Sequence, residues 1–166
     1  MSTPFYLPRS LISNDKTYTE AELLAAANYV VILAEPGGGK TQLMESLAQQ
    51  LGTKAVTASR FAYAGAKVNN SSLVIDAFDE LSKVDNSGIY KLLAQAVSAN
   101  PTRVYLSSRS SEWSHAATNT VNDFFEHPPL VVRLCEFDES EQREIFKHNV
   151  PDEDFAAFQA EVARFD

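Results

Sequence analysis

The chain has 166 residues, 45% hydrophobic and 22% charged, the composition of an ordinary globular domain that buries about two-thirds of its unfolded surface. Its net charge of −8 is uneven: residues 1–134 carry 11 basic and 12 acidic side chains, whereas residues 135–166 carry 3 and 10. Neither part offers a basic face for nucleic acid or an anionic membrane, and no apolar run reaches spanning length, so both partners are set aside.

Apolar runs alternate with helical periodicity along the chain, the pattern of a parallel sheet covered by helices. The first run, YVVILA (29–34), is continuously apolar and predicts a strand buried on both faces. It runs straight into ILAEPGGGKTQL (32–43), which fits the phosphate-binding pattern G-x-x-x-x-G-K-[ST] except at its first position, occupied by Ala34. A phosphate cradle needs successive backbone N–H groups turned inward at the positive end of a helix. Gly37, Gly38 and Gly39 supply the dihedral freedom, Lys40 reaches the β- and γ-phosphates, and Thr41 suits Mg²⁺. Ala34 falls on the last strand residue, the least demanding position. The alternative is a glycine-rich turn without a ligand; the strand before and the amphipathic helix after (39–51, with Leu43, Leu47 and Leu51, stopped at Gly52) count against it. Glu35, Pro36 and Gln42 complete the predicted nucleotide-binding set.

A strand follows at KAVTA (54–58), then SLVIDAFDEL (72–81), a strand over 72–77 that ends in acid. Asp76 falls at the carboxyl edge of its strand, where open α/β sheets bind ligands, and is placed to hold Mg²⁺ opposite Thr41. Asp79 and Glu80 come next, and Glu80 is chosen as the group that orients and deprotonates the attacking water. The alternative makes both a solvated helix start favoured by the helix dipole. SKVD (82–85) resembles a guanine-specificity signature, but it lies too soon after the acidic strand to reach a base, which leaves adenine preferred. A helix spans 87–99, with Ile89, Leu92, Leu93, Ala96 and Val97 on one stripe. The strand RVYLSS (103–108) ends at Ser107, Ser108 and Arg109; Arg109 is either a surface arginine or aimed at the γ-phosphate, and its place after the acidic motif favours the second.

A helix over 111–125 stops before Pro128, and LVVRLCEF (130–137) predicts a last strand with Cys135 buried in it and unreactive. One cysteine excludes an internal disulfide and fits a reduced, cytoplasmic setting; the three histidines lack metal-ligand spacing. Asp138 and Glu141 read as a capping box opening a helix to about His148. A final helix begins after Pro151, with Phe155, Phe158 and Val162 at helical spacing and no stop signal. It predicts a helical module (149–166) that continues in a longer protein, after a nucleotide-binding domain over 1–148 whose segment 1–28 precedes the first strand.

These motifs resemble the NACHT-type P-loop NTPases of the STAND class, ATP-driven signalling switches. AEPGGGKT is similar to that family's phosphate loop, DAFDEL to its acidic motif with a tiny residue after the magnesium aspartate, and LSSRSSEW to its sensor strand. FYLPRSLI (5–12) resembles the segment that lies against the base in bacterial members. The resemblance covers roughly residues 5–148 and implies a three-layer α/β/α P-loop fold with a five-stranded parallel sheet in the order 5-1-4-3-2. It further implies that Lys40, Asp76 and Arg109 converge on one phosphate, and that ATP or ADP binds with Mg²⁺. The implied function is an ATP-binding and ATP-hydrolysing switch domain, partnered by the other domains of its chain and self-associating when ATP binds. The alternatives are a nucleotide-binding interaction module with little hydrolysis and, ranked last, a small-molecule P-loop kinase, because residues 110–132 lack the Lys and Arg of an acceptor lid.

Overall fold

The computed structural model describes residues 6–64, 72–79 and 86–149, together with 156, 157 and 159. The chain divides into two compact units, residues 9–135 and residues 1–8 with 136–166. The first contains strands β1 (Ser10–Ser13), β2 (Lys16–Thr19), β3 (Tyr29–Ala34), β4 (Val56–Thr57), β5 (Ser72–Asp76), β6 (Arg103–Arg109) and β7 (Leu130–Leu134). Among the described residues its helices are α1 (Glu20–Ala26), α2 (Lys40–Gln50), α3 (Ala58–Ala64), α4 (Asn86–Ser98) and α5 (His115–Phe125). The second unit contains α6 (Glu139–Asn149). There the Glu141 N–H donates to Asp138 Oδ1 at 2.8 Å and the Asp138 N–H to Glu141 Oε1 at 3.0 Å, the reciprocal pair of a capping box. The expected last helix, with Phe155, Phe158 and Val162, lies outside the described residues apart from 156, 157 and 159.

Among the described residues the sheet has seven strands in the order β2-β1-β7-β3-β6-β5-β4, not the five expected. Five of them, β7-β3-β6-β5-β4, are parallel, and counted from β3 as the first they stand as 5-1-4-3-2. The correction comes from the segment before β3. β1 and β2 form a hairpin through Asn14 and Asp15, with Asn14 left-handed (φ 54°), and β1 pairs antiparallel with β7. Leu11 stands opposite Tyr18 in that hairpin and both are buried, so the pair turns one face to the core.

Three other boundaries differ from expectation. β4 keeps only two residues because the chain turns into α3, whose Arg60 N–H is capped by Thr57 Oγ1 at 3.3 Å. The helix expected over 111–125 is broken: a 3₁₀ turn covers Ser110–Glu112, Trp113 is extended, and Ser114 caps α5 through the Ala117 N–H at 3.2 Å. Cys135 lies past the end of β7 and is half-buried rather than a buried strand residue, although its N–H still reaches Ser10 O at 3.0 Å.

The central strands alternate their side chains between two apolar layers. Leu73, Ile75, Val104 and Leu106 pack with Phe61, Leu92, Leu93 and Val121 from α3, α4 and α5. Val30, Ile32, Val74 and Tyr105 pack on the other face with Leu23 of α1 and Leu43, Met44 and Leu47 of α2. The result is a three-layer α/β fold with a mixed sheet. Tyr105 is buried and donates its hydroxyl to Ala27 O at 2.9 Å. Burial pushes its phenol above the ordinary range, opposed by the charge and hydrogen bond of Arg103.

Candidate phosphate-binding site

β3 ends at Ala34, and after five intervening residues α2 begins at Lys40. The turn between them is tight: the Gly38 N–H bonds Glu35 O at 3.1 Å. Gly37 (φ 76°) and Gly39 (φ 85°) adopt left-handed backbone that other residues take only with strain. A Cβ at Gly39 would stand 2.7 Å from Arg9 Nη1, so the guanidinium would have to shift to admit a side chain there. Gly39 is also the N-cap of α2 and provides no side-chain cap. The opening N–H groups of α2 are therefore left for another acceptor, the condition under which a helix start takes an anion.

The neighbouring strands bring acid to this loop. The Asp76 carboxylate ends β5; it accepts from Thr41 Oγ1 at 3.0 Å and from Ser107 Oγ at 2.5 Å, and lies 3.7 Å from Lys40 Nζ. Ser107, fully buried on β6, also accepts the Ala77 N–H at 3.0 Å, and its carbonyl accepts from the Phe78 N–H at 2.9 Å. These two bonds hold the chain just after β5 against β6, in the turn where Ala77 is left-handed (φ 61°). The turn delivers Asp79, its side chain 2% exposed, to a point 3.7 Å from Lys40 Nζ and 3.7 Å from Arg109 Nε. Asp79 also accepts the Arg109 N–H at 3.3 Å. A buried carboxylate is thus met by two cations and a backbone donor, as burial of charge requires.

All of this surrounds one cleft of about 470 Å³, lined by residues 35–42 with Thr57, Asp76, Ala77, Asp79 and Arg109. The structure brings Glu35, Pro36, Gly37, Gly38, Gly39, Lys40, Thr41, Gln42, Asp76, Asp79 and Arg109 together; Glu80 lies outside the described residues. Arg109 has the most freedom among the cations, its side chain being 47% exposed. Sequence reasoning missed Thr57, Arg9 and the support given by Ser107. The serine pair that ends an otherwise apolar strand was the visible signal for Ser107; nothing local marks Arg9.

No protein-family model matches the chain, and no curated protein matches it either. Solved structures do match. Over 81% of this chain it is similar to AMPPCP-bound DnaA from Aquifex aeolicus, at 18% identity and a TM-score of 0.53. A DNA replication initiation factor matches over 76% at 15% identity and TM-score 0.54, and the FIGL-1 AAA domain in complex with ADP over 75% at 20% identity and TM-score 0.51. The likeness is one of fold: this is the α/β fold of P-loop NTPases. Within that class the solved neighbours include an AAA domain, and this chain spans about half their length, 49%, 46% and 49% in turn.

Proposed function

We propose that this chain is a nucleotide-binding and ATP-hydrolysing module of a larger switch protein of the NACHT type in the STAND class. One observation carries the reading: Lys40, Thr41, Asp76 and Arg109, from three separate elements, meet at one cleft beneath a glycine loop that opens a helix. Two of the fold neighbours carry AMPPCP and ADP, which agrees with a nucleotide as ligand.

In this reading the loop amides and Lys40 receive the phosphates, and Arg109 turns from Asp79 toward the terminal phosphate. Both cations already face a carboxylate, and when the Arg109 guanidinium turns away, Asp79 keeps Lys40 and the Arg109 N–H as partners. Glu80 orients the attacking water and takes its proton. Asp79 holds Lys40 and the backbone of Arg109 beside the terminal phosphate. Thr41 Oγ1 and the Asp76 carboxylate, 3.0 Å apart, are hard oxygen donors of the kind Mg²⁺ takes alongside phosphate and water, so the residues fit that ion. Bound there, Mg²⁺ would neutralise phosphate charge. Among the described residues, no cluster of three or more His, Cys, Asp or Glu side chains could hold a metal by itself.

Residues 149–166 open a helical module in this reading, and ATP binding favours closure of such modules and self-association, in a cytoplasmic setting. No helix among the described residues is long and apolar enough to cross a membrane. Titration calorimetry with Mg·ATP and ADP tests the binding reading on the parent chain and on Lys40→Ala. The expected loss in the variant is about tenfold to a hundredfold, as for a hydrogen bond to a charged group. Equal affinity removes Lys40 from the site, and a parent chain that takes up neither nucleotide overturns the reading.

A further inference from the structure

Arg9 plays no part in the function proposed above, yet it is almost wholly buried, a costly position for a guanidinium unless its donors are met. Nη1 donates to Gly38 O at 2.5 Å and Nη2 to Cys135 O at 2.7 Å. One planar fork thus joins the middle of the phosphate loop to the residue just past β7. The root of the side chain is anchored separately. The Arg9 N–H donates to Glu20 Oε2 at 2.7 Å, while Glu20 Oε1 accepts from Ser46 Oγ at 2.7 Å and Gln50 Nε2 at 3.1 Å on α2. Arg9 and Cys135 are also the first and last residues of the compact unit that contains the loop.

In a trans peptide the carbonyl and the following N–H point in opposite directions. Holding Gly38 O toward Arg9 therefore turns the Gly39 N–H away from the guanidinium, the orientation that an anion-facing amide needs. Three consecutive glycines carry the largest conformational entropy a loop can have, and fixing one peptide plane beforehand removes part of that cost from binding.

We propose that Arg9 is a positioning residue for polyphosphate: it presets the peptide between Gly38 and Gly39 and ties the loop to the chain at Cys135. The proposal rests on the nucleotide reading, with inorganic pyrophosphate standing for the ligand's anionic end. Calorimetry with ADP and pyrophosphate is compared across the parent chain, Arg9→Lys and Arg9→Met, alongside Tm. Arg9→Lys keeps a Tm near the parent's and loses about tenfold or more in affinity for both ligands, because an ammonium cannot offer two fixed donors to two carbonyls. Parental affinity in a folded Lys or Met variant overturns the proposal. Absence of binding by the parent chain defeats instead the nucleotide reading beneath it. Should neither variant fold, hydrogen exchange on the parent chain decides. Pyrophosphate slows exchange of the Cys135 amide, bonded to Ser10 O, together with the loop amides; slowing confined to residues 35–41 overturns the clamp.

Discussion

Ser107→Ala strikes the scaffold of the site without touching the phosphate loop. The hydroxyl is fully buried, donates to Asp76 Oδ1 and accepts from the Ala77 N–H, so its removal deprives two groups of a partner at once. A hydrogen bond to a charged group contributes about 1.5–3 kcal/mol, and a buried N–H left unpaired costs about 1–3 kcal/mol. Asp76 keeps Thr41 and Lys40, which places its share at the low end. The volume lost is one oxygen, so any cavity contribution is small. We therefore expect a loss of about 2–4 kcal/mol. Urea denaturation reads it as a lower midpoint at unchanged slope, and a thermal scan as a drop of about 4–16 °C at roughly 2–4 °C per kcal/mol for a chain of this size. A stability within about 0.5 kcal/mol of the parent's, the range of an indifferent surface change, refutes the reasoning.

Ala77→Val puts a β-branched side chain at φ 61° and should cost about 2 kcal/mol or more, measured by the same denaturation; a neutral result would mean the turn relaxes freely. Tyr105 titrates above the ordinary phenol range when folded, so the unfolded chain loses its proton first as pH rises. Its contribution is complete below about pH 10 and is lost above it. Tyr105→Phe should flatten the alkaline limb of a stability–pH curve, and an unchanged limb would assign that limb to other groups. Glu80→Gln should abolish turnover in a chain that hydrolyses ATP while leaving ATP binding intact. Unchanged turnover would exclude Glu80 as the base, and absence of turnover in the parent would favour the binding-only module.

The parallel part of the sheet was legible because its strands are buried on both faces and read as continuous apolar runs, YVVILA and SLVID above all. The hairpin was not. SLIS and KTYT have four residues each and are largely polar, and their pairing depends on the distant edge of β7. Trp113 broke a helix whose apolar spacing gave no warning; its ring lies 5.5 Å from that of Phe78, and its Nε1 donates to Thr118 Oγ1 at 2.8 Å. Of the candidate site, the residues that face the cleft, Thr57 apart, carry a motif and could be named in advance. Those that stand behind it, Ser107 and Arg9, act through long-range bonds, and no local spacing encodes partners 29, 31 or 126 positions away.

The hairpin also decides what the sheet can do with its own margins. At one margin stands β2, where Lys16, Thr17 and Thr19 are exposed and Lys16 lies over the Tyr18 ring at 4.9 Å; at the other is β4, two residues long. A cationic, polar border and a stub are both poor templates for a foreign strand. Among the described residues, both margins of the sheet therefore disfavour edge-to-edge pairing and the fibrillar stacking that would follow from it.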